Sequence, residues 1–340
     1  MKLVSYKKGQ ESRSGIYLND QVYDLEDNGK AIGVDVPSDM LNLLNLEDLG
    51  MRNARAVFDA ILAKKTNISI DNAELLAPVP RPPSCRDAYA FRQHVATARR
   101  NRGVPMIPEF DEFPIFYFTN HNAIFGEGDI PLEEDHFHKL DFELEVAIVI
   151  GKHGKNVSSK DADDYIAGFT IMNDLSARLL QMEEMKLNLG PAKGKDFATS
   201  IGPWLVTPDE LEDQKIQTDF GNSYDLGMQA HHNGHQISAG NMKDMTWTFA
   251  EIIERISYGA EIFPGDVIGS GTVGTGCYLE LNGTWAIEAK ERGETFNPVW
   301  LAAGDTIELS IDGLGTLSNQ MLKSADSSSL LGKKKTAPKA

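Results

Sequence analysis

Cysteine is nearly absent. Cys85 and Cys277 are the only two in 340 residues, too few for a disulfide framework and without zinc-finger spacing. Both thiols are expected to be reduced and structural. The opening residues MKLVSYKKGQES contain no apolar signal region. No apolar run reaches the length that spans a bilayer, so a cytoplasmic protein is the default expectation. Basic charge is also scarce. Lys and Arg number 33 against 50 Asp and Glu, a formal net charge of −17. Phosphate binding needs a basic face, so neither nucleic acid nor an anionic membrane is expected as a partner. There is no internal repeat. The length leaves room for a large core, in one domain or two unequal ones.

What is present falls into two stretches. In residues 1–76, GIYLND and QVYDL flank Asn19-Asp20 and read as a hairpin. DMLNLLNLEDL and NARAVFDAILAKK space their apolar residues as helices do. A small N-terminal α+β domain is expected here. The run APVPRPPS at 77–84 cannot continue a helix and reads as an extended Pro-rich linker. Over 85–323 strand patterns dominate: LDFELEVAIVIG, AGFTIM, GPWLVT and DTIELSI. Asn233-Gly234 suits a tight hairpin turn, and WTFAEIIERISYGA reads as an amphipathic helix. Strands without regular βαβ alternation indicate a mixed, β-rich α+β fold, not a doubly wound parallel sheet. The tail, 324–340, is poor in bulky residues and is expected to be disordered, its lysines solvated.

Several clusters carry candidate chemistry. In DFELE, a strand would turn Asp141, Glu143 and Glu145 to one face and Phe142, Leu144 and Val146 to the other. Carboxylates heading a buried strand repel each other and lose hydration. A hard divalent cation relieves both costs, and oxygen ligands suit Mg²⁺, Mn²⁺ or Ca²⁺. The plain alternative is a solvated acidic edge, and the pattern does not choose among the three acids. In NDLSARLLQ, Asp174 or Ser176 would cap a helix that sets Asp174, Arg178 and Gln181 on one face. If RDAYAFRQHVATARRNRG is helical throughout, Asp87 and His94 lie two turns apart, their Cα atoms roughly 10 Å distant. Tyr89 and Arg92 fall between them. Lys193, Gly194 and Lys195 form a small loop before a strand. Gly269, Gly271, Gly274 and Gly276 flank Thr272 but lack the P-loop pattern. Glu280 is placed on the strand that follows.

Taken in order, these motifs resemble the fumarylacetoacetate hydrolase (FAH) family from about Arg86 to Asn319. They comprise ExE in a strand, NDxSARxxQ, GKxF, IGPWLVT, GDVIGSGT and GDTIELSIDGLGTLSN. The resemblance implies an FAH-like β-roll preceded by a smaller N-terminal domain, and a homodimer. It makes Asp87, Glu143, Glu145 and Asp174 the metal ligands, with Lys195 and Thr199 in support. Tyr89, Arg178, Gln181 and Thr272 match substrate-contacting positions. Asp87, Tyr89, Arg92, Gln93 and His94, with Gly276, Cys277 and Glu280, resemble fumarylacetoacetases in particular. They imply His94 and Glu280 as a catalytic pair; in a mechanism that fits, Lys195, Arg178 or Gln181 stabilises an oxyanion. The family's downstream arginine has two candidates here, Arg99 and Arg102, and Tyr117 is the nearest match to a further tyrosine. The implied activity is metal-dependent hydrolysis of a C–C bond in a β-diketo acid, a small molecule of the kind met in aromatic catabolism. A pyruvate-class decarboxylase or hydratase on the same scaffold is the alternative.

Overall fold

The structure is a computed structural model, and it describes residues 1–325 and 328–333. Its spine is a 12-stranded sheet. Ten of its strands run in the order Ser69–Ile70, Gln21–Asp24, Glu11–Leu18, Lys2–Lys8, Thr199–Val206, Ile166–Asp174, Leu144–Ile150, Val267–Gly269, Cys85–Ala88, Phe116–Thr119; Leu75–Leu76 also pairs with Lys2–Lys8, and Ile124–Phe125 with Thr199–Val206. A second sheet of five strands contains the hairpin Gly227–His232 and His235–Asn241, then Thr306–Ile311, Gly315–Lys323 and Gly128–Leu132. The fold is therefore mixed and β-rich.

Leu144–Ile150 is central because, Glu145 apart, LEVAIVI is apolar on both faces, as a strand with neighbours on each side and layers above and below must be. Its alternation sorts two cores. Leu144, Val146, Ile148 and Ile150 pack with Met228, Ala230, Leu309, Ile311 and Leu317 of the second sheet. Ala147 and Val149 pack with Leu3, Met40, Leu43, Leu44, Val57 and Ile61 from the N-terminal stretch.

The N-terminal stretch packs directly against the rest of the chain. Lys2 and Leu3 pair with Val206 and Leu205, which continues one sheet across the expected boundary. Within the linker run Ala77 and Val79 are buried, and Ser5 Oγ donates to the Pro78 carbonyl at 2.7 Å. Proline forbids a helix there, but an extended chain can still be buried. The hairpins form at Asn19-Asp20 and at Asn233-Gly234, with these residues at positive φ. The expected helix forms at Phe249–Ser257. In the tail, Ser329 Oγ donates to Asp135 Oδ1 at 2.8 Å and Leu330 N to Asp135 Oδ2 at 2.6 Å. The expectation made for 326–327 and 334–340 lies outside the described residues.

Three local expectations are corrected. Asp87 sits in the strand Cys85–Ala88, and the helix begins only at Arg92, so Asp87 and His94 share no helical face. Asp174 ends a strand, and its helix starts at Arg178 after Ala177, without a side-chain cap. The Asp174 carboxylate is occupied by Lys195 and Tyr117 instead. Glu280 lies in the first turn of the helix Tyr278–Glu291, not on a strand.

Candidate metal centre and active site

Strand register brings together acids that are far apart in sequence. Asp87 pairs with Gly269, and Ala147, two residues past Glu145, flanks Gly269 on its other side. Asp174 ends the strand that pairs with Leu144–Ile150, opposite Thr199. Asp87, Glu143, Glu145 and Asp174 are all buried, each with a ligand atom within 4.8 Å of the others. Gly269 makes room for them: a Cβ there would lie 2.6 Å from Asp87 Oδ1 and 2.9 Å from Glu145 Oε2. Gly271, at φ +80°, donates its N–H to Asp87 Oδ1 at 3.0 Å. The glycines therefore let backbone approach carboxylates, with no phosphate cradle.

The electrostatics favour a cation. Burial and the neighbouring Asp174 push the Asp87 carboxyl up to about 7. Burial and Asp87 push Glu145 well above the usual carboxylate range. Burial raises Asp174 as well, against the pull of Lys195. Burial opposes an ionised Glu143 too, but Lys195 and Arg178 outweigh it and hold this carboxyl low. Lys195 Nζ bonds both Glu143 and Asp174. One ammonium cannot balance four acids. Glu145 Oε2 and Asp174 Oδ1 are buried without a protein hydrogen-bond partner. Orphaned oxygens in a buried all-oxygen set fit a divalent ion.

His94 and Glu280 meet although 186 positions separate them: Nδ1 lies 2.6 Å from Oε2, both side chains buried. The Tyr89 ring stands edge-on to His94 at 5.9 Å and to Phe110 at 6.2 Å. Burial pushes its phenol up to about 12, with the Arg102 charge pulling the other way. Arg99 points elsewhere, its Nε donating to the Pro105 carbonyl at 2.7 Å. Arg92 pairs with Asp111 at the surface. Arg178 Nη1 donates to Gln181 Oε1 at 3.0 Å, and its other nitrogens bond Asp141 and Glu143 rather than Asp174. Thr272 Oγ1 donates to Glu145 Oε1 at 3.4 Å, and Thr199 begins the strand opposite Asp174.

Asp141 takes no place in the four-acid set. It caps the helix Tyr278–Glu291. Tyr117, expected only as the nearest match to a further tyrosine of the family, bonds Asp174 through its hydroxyl. Only the pairing of its strand with Cys85–Ala88 brings it there, and no local pattern announces that. Cys85 and Cys277 are free and buried, their thiols pushed up by burial. No helix among the described residues is long and apolar enough to cross a membrane.

This arrangement is that of a known enzyme class. Residues 84–322 match the fumarylacetoacetate (FAA) hydrolase C-terminal family, and the chain belongs to that family. It is 29% identical over 297 residues to oxaloacetate tautomerase YisK of Bacillus subtilis (strain 168), covering 84% of this chain and 87% of that one. It is 27% identical to oxaloacetate tautomerase fahd2, mitochondrial, of Xenopus laevis, covering 95% and 90%. The fold matches that of maleylpyruvate hydrolase from Sphingobium sp. SYK-6, solved with manganese(II) and pyruvate. That match has a TM-score of 0.67 at 21% identity, over 95% of this chain and 100% of that one.

Proposed function

We propose that this chain is a divalent-metal-dependent hydrolase that cleaves a C–C bond in a β-diketo acid of the fumarylacetoacetate, fumarylpyruvate or acylpyruvate type. The observation that carries this reading is the buried His94–Glu280 pair, whose imidazole is near enough to the four-carboxylate cluster to act on Glu143. Held by Asp87, Glu143, Glu145 and Asp174, the ion (Mg²⁺, Mn²⁺ or Ca²⁺) supplies Lewis acidity to a substrate carbonyl and tolerance for carbanion character. The protein side chains do the rest. Glu280 accepts from Nδ1–H of His94, which selects the tautomer with a lone pair on Nε2. Nε2 takes a proton from water, and the hydroxide adds to the carbonyl carbon. Lys195 and Arg178 keep Glu143 ionised, and Gln181, braced by Arg178, offers its amide to a substrate oxygen. The C–C bond then breaks, and His94 returns the proton to the departing carbon. Tyr89 stands beside His94, and Arg102, whose charge acts on Tyr89, meets the far end of the acid.

The two relatives named oxaloacetate tautomerase favour a second reading, keto–enol or decarboxylation chemistry on a pyruvate-class acid, which needs no attacking water. A homodimer is the assembly that goes with either reading, and sedimentation velocity measures it. The deciding experiment is a panel of diketo acids and oxaloacetate followed by ultraviolet absorbance, with Mg²⁺ or Mn²⁺ and with excess EDTA. Hydrolysis of an acylpyruvate that stops on chelation is the expected result. Activity surviving full chelation removes the metal mechanism. Oxaloacetate turnover that persists in His94→Ala selects the second reading.

A further inference from the structure

We propose that Asp141 is a positioning residue that ties the His94–Glu280 pair to the carboxylate cluster. The inference rests on the hydrolase reading above. Asp141 is fully buried and its carboxylate is saturated. Oδ1 accepts from the N–H of Tyr278 at 2.7 Å and of Phe142 at 3.0 Å. Oδ2 accepts from the N–H of Leu279 at 2.9 Å and from Arg178 Nε at 2.8 Å. With two donors on each oxygen, a cation finds no donor position there, in contrast to Glu145 and Asp174.

The two sets of bonds lead in different directions. Cys277, at the head of the helix Tyr278–Glu291, gives no side-chain cap. Asp141 supplies one from a different strand, and its negative charge suits the positive end of the helix. That helix carries Glu280 in its first turn, and Glu280 holds His94. On the other side Asp141 grips Arg178, whose Nη2 reaches Glu143 Oε1 at 2.7 Å. One carboxylate therefore seats both the helix that orients the base and the guanidinium that braces the cluster. The distance between base and cluster is set through it, and a small misplacement of a base costs rate.

The test is a double-mutant cycle of Asp141→Asn and Glu280→Gln, assayed with Mn²⁺ and acetylpyruvate. The second readout is the downfield ring N–H proton of His94 in one-dimensional NMR, assigned by its loss in His94→Gln. Asp141→Asn is expected to lower kcat about 10- to 100-fold, as loss of a supporting hydrogen bond does. KM should stay within about threefold, because the substrate's own contacts remain. The His94 resonance should shift or broaden. In the Glu280→Gln background the same change should cost less than about threefold, since it acts through that residue. Asp141→Glu, which keeps the charge but moves it, should recover part of kcat. Full additivity, or an unmoved resonance in a variant that melts with the wild type, overturns the inference. If Asp141→Asn melts below the assay temperature, Asp141→Glu carries the cycle. If the wild type hydrolyses no diketo acid, the hydrolase reading fails and the resonance alone decides the positioning.

Discussion

In the proposed mechanism His94 works only in one tautomer. Glu280 on Nδ1 selects it, so each partner is worth little without the other. His94→Gln should lower kcat for the best diketo acid about 10²- to 10⁴-fold, the usual range for a lost acid–base group. Mn²⁺ affinity should barely change, and isothermal titration of the variant checks that separation. A second buried charge pair far from the site bears on stability alone. Burial pushes the Asp24 carboxyl up, but Arg13, the Asp27 N–H and the Tyr6 hydroxyl outweigh it and leave it depressed. Arg13 holds it at 2.6 and 2.8 Å. A depressed carboxyl stabilises the fold above its unfolded value, near pH 4, and that contribution fades as pH falls through the folded value. Asp24→Asn should therefore cost about 3 kcal/mol at pH 7, the scale of a broken buried pair. The gap in melting temperature between variant and wild type should close below about pH 4.

Glycine decides the site at the level of the element. The strand Val267–Gly269 lies between Leu144–Ile150 and Cys85–Ala88, and the acids close over Gly269. Gly269→Ala should weaken Mn²⁺ binding about tenfold or more, because the new methyl displaces Asp87 and Glu145 together. A competition titration against a fluorescent chelator reads this. Elements with strong local periodicity were legible: the strand Leu144–Ile150, both hairpins and the helix Phe249–Ser257. Those whose ends depend on distant partners were not. The Asp174 carboxylate could have capped a helix, but Lys195 and Tyr117 take it. GCYLEL reads as a strand, yet Asp141 caps it from elsewhere and it runs as a helix. The strand-face argument put Asp141 with Glu143 and Glu145, and only its contacts with Arg178 and the helix start gave it different work.

At the scale of the whole molecule the two stretches are packed together. They share a sheet through the edge of Thr199–Val206 and a core that mixes Leu43, Leu44 and Val57 with Val149, Met172 and Leu205. Calorimetry should show a single unfolding transition for the full chain. A fragment lacking residues 1–76 bares that sheet edge and that core face. It should be recovered aggregated or molten, since exposed edges and apolar faces recruit other chains. Two well-separated transitions, or a stable monomeric fragment, would contradict this.

The sequence by itself determined the class of fold, the chemistry of the ligand set and most of the residues that meet at the site. Alternation, turn residues and ordered motifs are local, and a linear chain displays them. By what it lacks it also set the expectation of no disulfide framework and no nucleic-acid partner. The resemblance already named the four acids and the His94–Glu280 pair; only the tertiary structure brought them within reach of one another and decided that Asp141 serves a helix. The reason is physical. A carboxylate's role is set by which donors surround it after burial, and those donors come from strands and helices whose pairing no local pattern encodes.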